Sequence, residues 1–200
     1  GDGDFAGHIG GTGQLSKTIG GILILGESST YTGGTTIQEG TLSAKHTQAL
    51  GQGKVTVASG GTLNINNVTL SLANGLDLAG TGAGGAGALT GTGSAAYTGG
   101  VTLLADTTIG AAIAGDHLTL SGVLTGAAGL YKVGAGMVAL SGANTYTGGT
   151  LIQQGTVSAQ HAQALNQGKV TVASGGTLNI DGISLSLANG LELSGAGAGG

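Results

Sequence analysis

The sequence predicts an all-β protein wound as a coiled solenoid, and three observations carry that reading. Residues 15–85 recur almost unchanged at 130–200 without a gap, at a fixed offset of 115, so that Tyr31 matches Tyr146, His46 matches His161 and Lys54 matches Lys169. Apolar residues alternate at period two in short runs along the chain, the signature of strands with one face buried. The 200 residues include 46 glycines, 2% aromatics and no proline. That composition excludes a conventional aromatic core and leaves no position that forbids a ladder hydrogen bond.

Taken in order, the predicted strands are Ile22–Leu25, Lys54–Val57, Thr62–Ile65, Leu70–Leu72, Leu76–Leu78, Leu118–Leu120 and Val138–Leu140. Turns are predicted between them at Gly40, Ser59-Gly60-Gly61, Asn74-Gly75, Gly99-Gly100, Gly110 and Gly122. No helical periodicity is present, and glycine costs a helix about 1 kcal/mol per residue. One short turn, Thr47 to Leu50, is the exception. Long duplicated blocks mean that each unit buries its apolar face against a neighbouring copy rather than in a central core. With three strands per coil of roughly 20–25 residues, the offset of 115 holds about five coils and the chain about eight to nine. At a strand spacing of about 4.8 Å the rod is near 40 Å long. Val, Ile and Leu form the interior ladder, Thr, Ser, Gln and Asn face water, and glycine supplies positive φ at corners.

The blocks Leu15-Ser16-Lys17, Ile22 to Leu25, Thr30-Tyr31-Thr32-Gly33-Gly34-Thr35 and Gly40-Thr41-Leu42 together resemble the passenger-associated transport repeat of bacterial autotransporters. The second copy, Leu130-Tyr131-Lys132, Gly136 to Thr150 and Gly155-Thr156-Val157, is the closer match, and the connecting segments are also similar to that family. The resemblance implies a right-handed parallel β-helix over 1–200, with copy one at 15–85, connecting coils at 86–129 and copy two at 130–200. It implies a location at the cell surface or in the secreted fraction of a Gram-negative bacterium, and a C-terminal outer-membrane barrel in the same precursor. Family members include adhesins, self-associating factors and stalks that present enzymes. The motif residues expected to hold the coils are Lys17, Tyr31, Gly33, Gly34 and Gly40, with Lys132, Tyr146, Gly148, Gly149 and Gly155 in copy two. No catalytic residue is carried over.

Composition narrows function further. Hydrophobic residues reach 40% and mean hydropathy is +0.32, against disorder. Five lysines, no arginine and a net charge of −4 leave no basic stripe for nucleic acid. No apolar run is long enough to span a bilayer and no leader opens the chain, which reads as an internal piece of something longer. The absence of cysteine is compatible with the cytosol and equally with secretion through a pore.

Gly80-Gly82-Gly85 and Gly195-Gly197-Gly200 match G-x-G-x-x-G, but without a following helix they read as corners, and no cofactor is expected. Asp2 and Asp4 suggest calcium only if repeated, and they are not. His46 and His161 lie about five coils apart, on the order of 24 Å, too far to share zinc. His117 beside Asp116 lacks a third ligand. The acidic residues are scattered, and Glu27, Glu39 and Lys45 become Gly142, Gln154 and Gln160 in copy two, against catalysis; Asp106 and Asp116 have a single copy. Tyr31 and Tyr146 are expected to pack over a neighbouring coil rather than stack on sugar. The expected activity is therefore a non-enzymatic stalk with an adhesive or self-associating surface that binds its own kind or a host protein or glycan. The alternative is an inert spacer displaying an enzyme domain elsewhere.

Overall fold

A computed structural model describes residues 2–165, 168–187 and 189–195 of the chain. β1 (Gly3–Phe5) forms the first rung. It is followed by β2 (Leu15–Lys17) and β3 (Ile22–Leu25), then β4 (Thr35–Ala44), β5 (Val55–Asn66) and β6 (Thr69–Leu70). The middle of the chain holds β7 (Leu76–Gly80), β8 (Leu89–Thr92), β9 (Ser94–Tyr97), β10 (Val101–Ala111) and β11 (His117–Leu120). β12 (Leu124–Thr125), β13 (Leu130–Val133), β14 (Met137–Leu140), β15 (Thr150–Ala159), β16 (Val170–Ile180) and β17 (Leu191–Leu193) complete it. Every recorded strand pairing is parallel, and each joins residues about one coil apart, as a solenoid requires.

Three rows of stacked residues make the core, with Gly3, Ile180 and Leu193 exposed at their ends. One row runs Lys17, Ile37, Val57, Leu78, Leu103. A second runs Gly3, Leu23, Leu42, Leu63, Leu89, Ile109, Lys132, Ile152, Val172, Leu193, which is ten rungs and nine turns of chain. A third runs Leu70, Tyr97, Leu120, Leu140, Ala159, Ile180. Nine turns match the upper end of the sequence expectation and give a rod of about 43 Å. From Leu42 to Val172 the long row is buried, and alternation at period two explains why: each rung turns every second side chain inward.

Three expectations are corrected. Gly40, Ser59-Gly60-Gly61 and Gly110 do not break the chain into turns; they lie inside β4, β5 and β10. A parallel ladder can bend without ending when its partner bends at the same level. Here the register slips once at each corner, between Ile37 and Glu39 in β4 and between Ile152 and Gln154 in β15. The strand expected at Leu70–Leu72 stops at Leu70. Strand on all three sides of a coil holds only in the middle, from β5 to β14; in the outer coils of β2 and β3, of β4, of β15 and of β16, two strand segments are joined by a loop on the third side. The predicted turn at Thr47–Leu50 is present, and the only helical element among the described residues is a single 3₁₀ turn, Ala83–Gly85.

The duplication is also not a whole number of coils. Leu15 stacks through Thr35, Val55, Leu76 and Val101 to Leu124, five rungs later. Its sequence mate Leu130 stands beyond Leu124 and pairs with Thr107, on the neighbouring side of the rod. Lys17 therefore heads the first row while Lys132 sits in the second. Copy two is offset by five coils and one face, so equivalent surfaces of the two copies point in different directions.

Candidate functional site

Of the motif residues, Lys17, Tyr31, Gly34, Gly40, Lys132, Tyr146 and Gly155 are buried, Gly149 is half-buried, and Gly33 and Gly148 are exposed at corners. Lys132 is 0% exposed in a row of Ile and Val, a costly place for an ammonium. Its Nζ donates to the carbonyls of Val133 at 2.8 Å, Gly134 at 2.7 Å and, in the next coil, Gln154 at 3.0 Å. Burial pushes its pKa down to about 8. Lys17 repeats the arrangement, donating to Ile19, to Gly20 at 3.2 Å and to Glu39 of the next coil at 3.1 Å. Each lysine thus ties a corner to the corner above it.

Glycine makes room for that cation. Gly40 and Gly155 have φ of 71° and 69°, and a Cβ at either would collide with the carbonyls of Gly21 or Gly134; at Gly40 it would also meet the Lys17 ammonium. At the other corner, Gly34 and Gly149 have φ of 87° and 82° and pack on the Lys54 and Lys169 carbonyls. Gly33 and Gly148 leave no space for a side chain against the backbones of Gly13 and Ala128.

Tyr31 and Tyr146 are buried, and their hydroxyls share hydrogen bonds of 2.5 and 2.6 Å with Thr35 and Thr150. Burial raises both phenols, that of Tyr146 to about 12. Neither ring is a stacking platform for a ligand. The expectation that Thr, Ser and Asn face water is corrected in part, because Thr35, Thr62, Thr107, Thr150, Ser158 and Asn144 are buried. Thr62, Thr107 and Asn144 bond backbone groups, and Thr35 and Thr150 bond the tyrosine hydroxyls.

Asn144 spans three coils. Its Oδ1 accepts from Leu124 N at 2.9 Å and its Nδ2 donates to Ala164 O at 2.6 Å, bridging the coils below and above. The sequence offers one signal for it: the second copy has Asn where the first has Ser29.

The single-copy acids are structural braces. Asp116 is 4% exposed and accepts from the backbone N–H of Gly93 at 2.8 Å and of Ile113 at 3.2 Å. Asp106 accepts from Gly129 N at 2.8 Å and the Tyr131 hydroxyl at 2.9 Å, and those bonds hold its carboxyl below the usual range. His46 and His161 each accept from a backbone N–H two residues on, closing the turn that follows. Asp2 accepts from Ile22 N at 2.7 Å. Gly80, Gly82 and Gly85 surround the 3₁₀ turn, which is too short to cradle a phosphate. In the second G-x-G-x-x-G match, Gly197 and Gly200 lie outside the described residues. The described residues contain no group of three or more metal-ligating side chains and no helix long and apolar enough to cross a membrane.

A stack of parallel rungs with Lys17, Lys132, Asp106 and Asp116 engaged in bracing defines a β-solenoid scaffold. The passenger-associated-transport-repeat family matches residues 15–44 and 130–159, the two blocks whose lysine, tyrosine and glycine contacts are described above. The chain is also similar to the adhesin BmaC autotransporter of Brucella suis biovar 1 (strain 1330), 34% identical over 177 residues. That alignment covers 86% of this chain and 4% of the relative, so the chain spans a small fraction of that protein's length. No solved structure matches. The chain belongs to the autotransporter passengers, at the cell surface or in the secreted fraction of a Gram-negative bacterium.

Proposed function

We propose that the chain acts as a rigid, non-enzymatic stalk whose flanks are adhesive or self-associating. The observation that carries this reading is the unbroken second row of ten rungs, which gives a rod without a hinge in its interior. The acids with a single copy brace backbone rather than converge on a cleft, which supports a role without catalysis. Each rung offers its partner a complete row of backbone groups, so folding of one coil templates the next. Folding outside the cell would then hold the emerging chain against backsliding, with a C-terminal barrel of the same precursor as the pore.

Because the copies lie one face apart, a ligand recognised by both would be held from two directions. Weak contacts then gain strength from number. The test is clumping of beads or cells that display the full passenger. Concentration-dependent clumping that is lost when this segment is deleted supports adhesion. Clumping unchanged by the deletion leaves an inert spacer for a domain elsewhere.

A further inference from the structure

We propose that a trough on the copy-one side of the rod binds a linear acidic glycan, an inference that rests on the adhesive reading and gives it a surface. The floor is one row, Ile24, Ser43, Asn64, Thr90, Gly110, Val133, in register over six coils, and Asp4 closes it on the rung before Ile24. Hydrogen bonds fix its centre: Ser43 Oγ donates to Asn64 Oδ1 at 2.9 Å, and Asn64 Nδ2 donates to Thr90 and Thr92 Oγ1, both at 3.0 Å. Two adjoining cavities of about 340 and 370 Å³ open over this row and share Asn64, Ala86, Thr90 and Thr92. The 3₁₀ turn walls one side. Thr62 holds it there, accepting from Ala83 N at 2.9 Å and donating to Gly87 O at 2.8 Å.

The lining chooses the ligand. Hydroxyls and the Asn64 and Asn66 amides stand beside threonine methyls, alanine, Ile24 and Val133, which suits a sugar, with polar hydroxyls around an apolar ring. Rungs repeat at about 4.8 Å, close to the length of one sugar unit in an extended chain, so six rungs seat about five units. No acidic residue lines either cavity, although the chain carries −4. Lys45 lines one of them. Of the five lysines, Lys17 and Lys132 are engaged by carbonyls, and Lys54 and Lys169 by Asp77 and Glu192. Among the described residues, no hydrogen bond or ion pair engages the Lys45 ammonium, which is therefore left to meet a carboxylate of the ligand.

Copy two supplies an internal control. It keeps Ser158 and Asn179 at the floor positions but has Gln160 for Lys45 and Asp181 for Asn66, which reverses the local charge. The same fold thus accepts both residues, so Lys45→Gln and Asn66→Asp are expected to leave stability unchanged, a point checked by thermal melts.

The experiment titrates the protein with oligogalacturonates from dimer to octamer and with neutral oligogalactans of the same lengths. Binding to the acidic series should tighten up to about five units and then level off. Lys45→Gln should weaken it about fivefold or more and flatten its salt dependence, and adding Asn66→Asp should abolish it. Equal binding of the neutral series, no length dependence, or variants that bind like the parent would overturn the proposal, as would no saturable binding to either series. Glycan binding that depends on Lys45 in a passenger that does not clump cells would sustain the trough and remove the adhesive reading alone.

Discussion

Lys132 is an ammonium stacked between Ile109 and Ile152, and its burial makes a measurable statement about pH. Its folded pKa of about 8 lies below the ordinary 10.5, so between those values the unfolded chain binds the proton and the folded chain releases it. Stability therefore rises with pH through that window. Tyr31, Tyr97, Tyr131 and Tyr146 have the opposite sign: their phenols are raised above 10, so they favour folding up to about pH 10 and withdraw that support above it. The urea midpoint should pass through a maximum between about pH 8 and 10, and the rise from pH 8 should vanish in Lys132→Met. The folded protein at pH 10 should show little tyrosinate absorbance at 295 nm, with a jump on unfolding; half-ionised tyrosines in the folded state would contradict the buried corners. Gly155→Ala should cost at least about 2 kcal/mol, because strain at positive φ adds to a collision with Gly134 O. The recurrence of the motif residues in both copies was legible from the sequence. Their buried hydrogen bonds were not, because a threonine on a strand reads as solvent-facing until the corner that needs its hydroxyl is known.

At the scale of the element, strands are set by period-two alternation, and most of those runs were legible. What escaped was their continuity. Glycine-rich pairs such as Gly60-Gly61 read as turns in isolation, but here they bend β5 while the ladder to β4 carries on, because Glu39 and Gly40 bend beside them. A single strand's sequence does not contain that information; it belongs to the pair. The rows make a direct prediction: Val57→Asp or Val172→Asp places a carboxylate among aliphatic neighbours with no partner, a cost of several kcal/mol. Either variant should lose its cooperative melt by circular dichroism. A variant that melts like the parent would mean that these residues do not face inward.

For the whole molecule, the duplication, the solenoid and the approximate number of coils could be read from the sequence, whereas the rotation between the copies could not. The offset of 115 looks like five coils of equal length, but the coils differ in length, and only the register reveals that Leu130 has moved to the next side. The polar trough was hidden for a related reason: its floor draws one residue from each of six coils, so no contiguous motif marks it. A two-directional display of repeated surfaces depends on that rotation. The chain has no cysteine, so engineered pairs report register cleanly. Neighbouring rungs lie within disulfide reach. The most direct test is therefore oxidation of a Thr108→Cys, Tyr131→Cys pair beside a Thr102→Cys, Tyr131→Cys pair. Rapid cross-linking of 108 with 131 and none of 102 with 131 is the predicted result, and cross-linking of 102 with 131 would put the two copies on one face and contradict it.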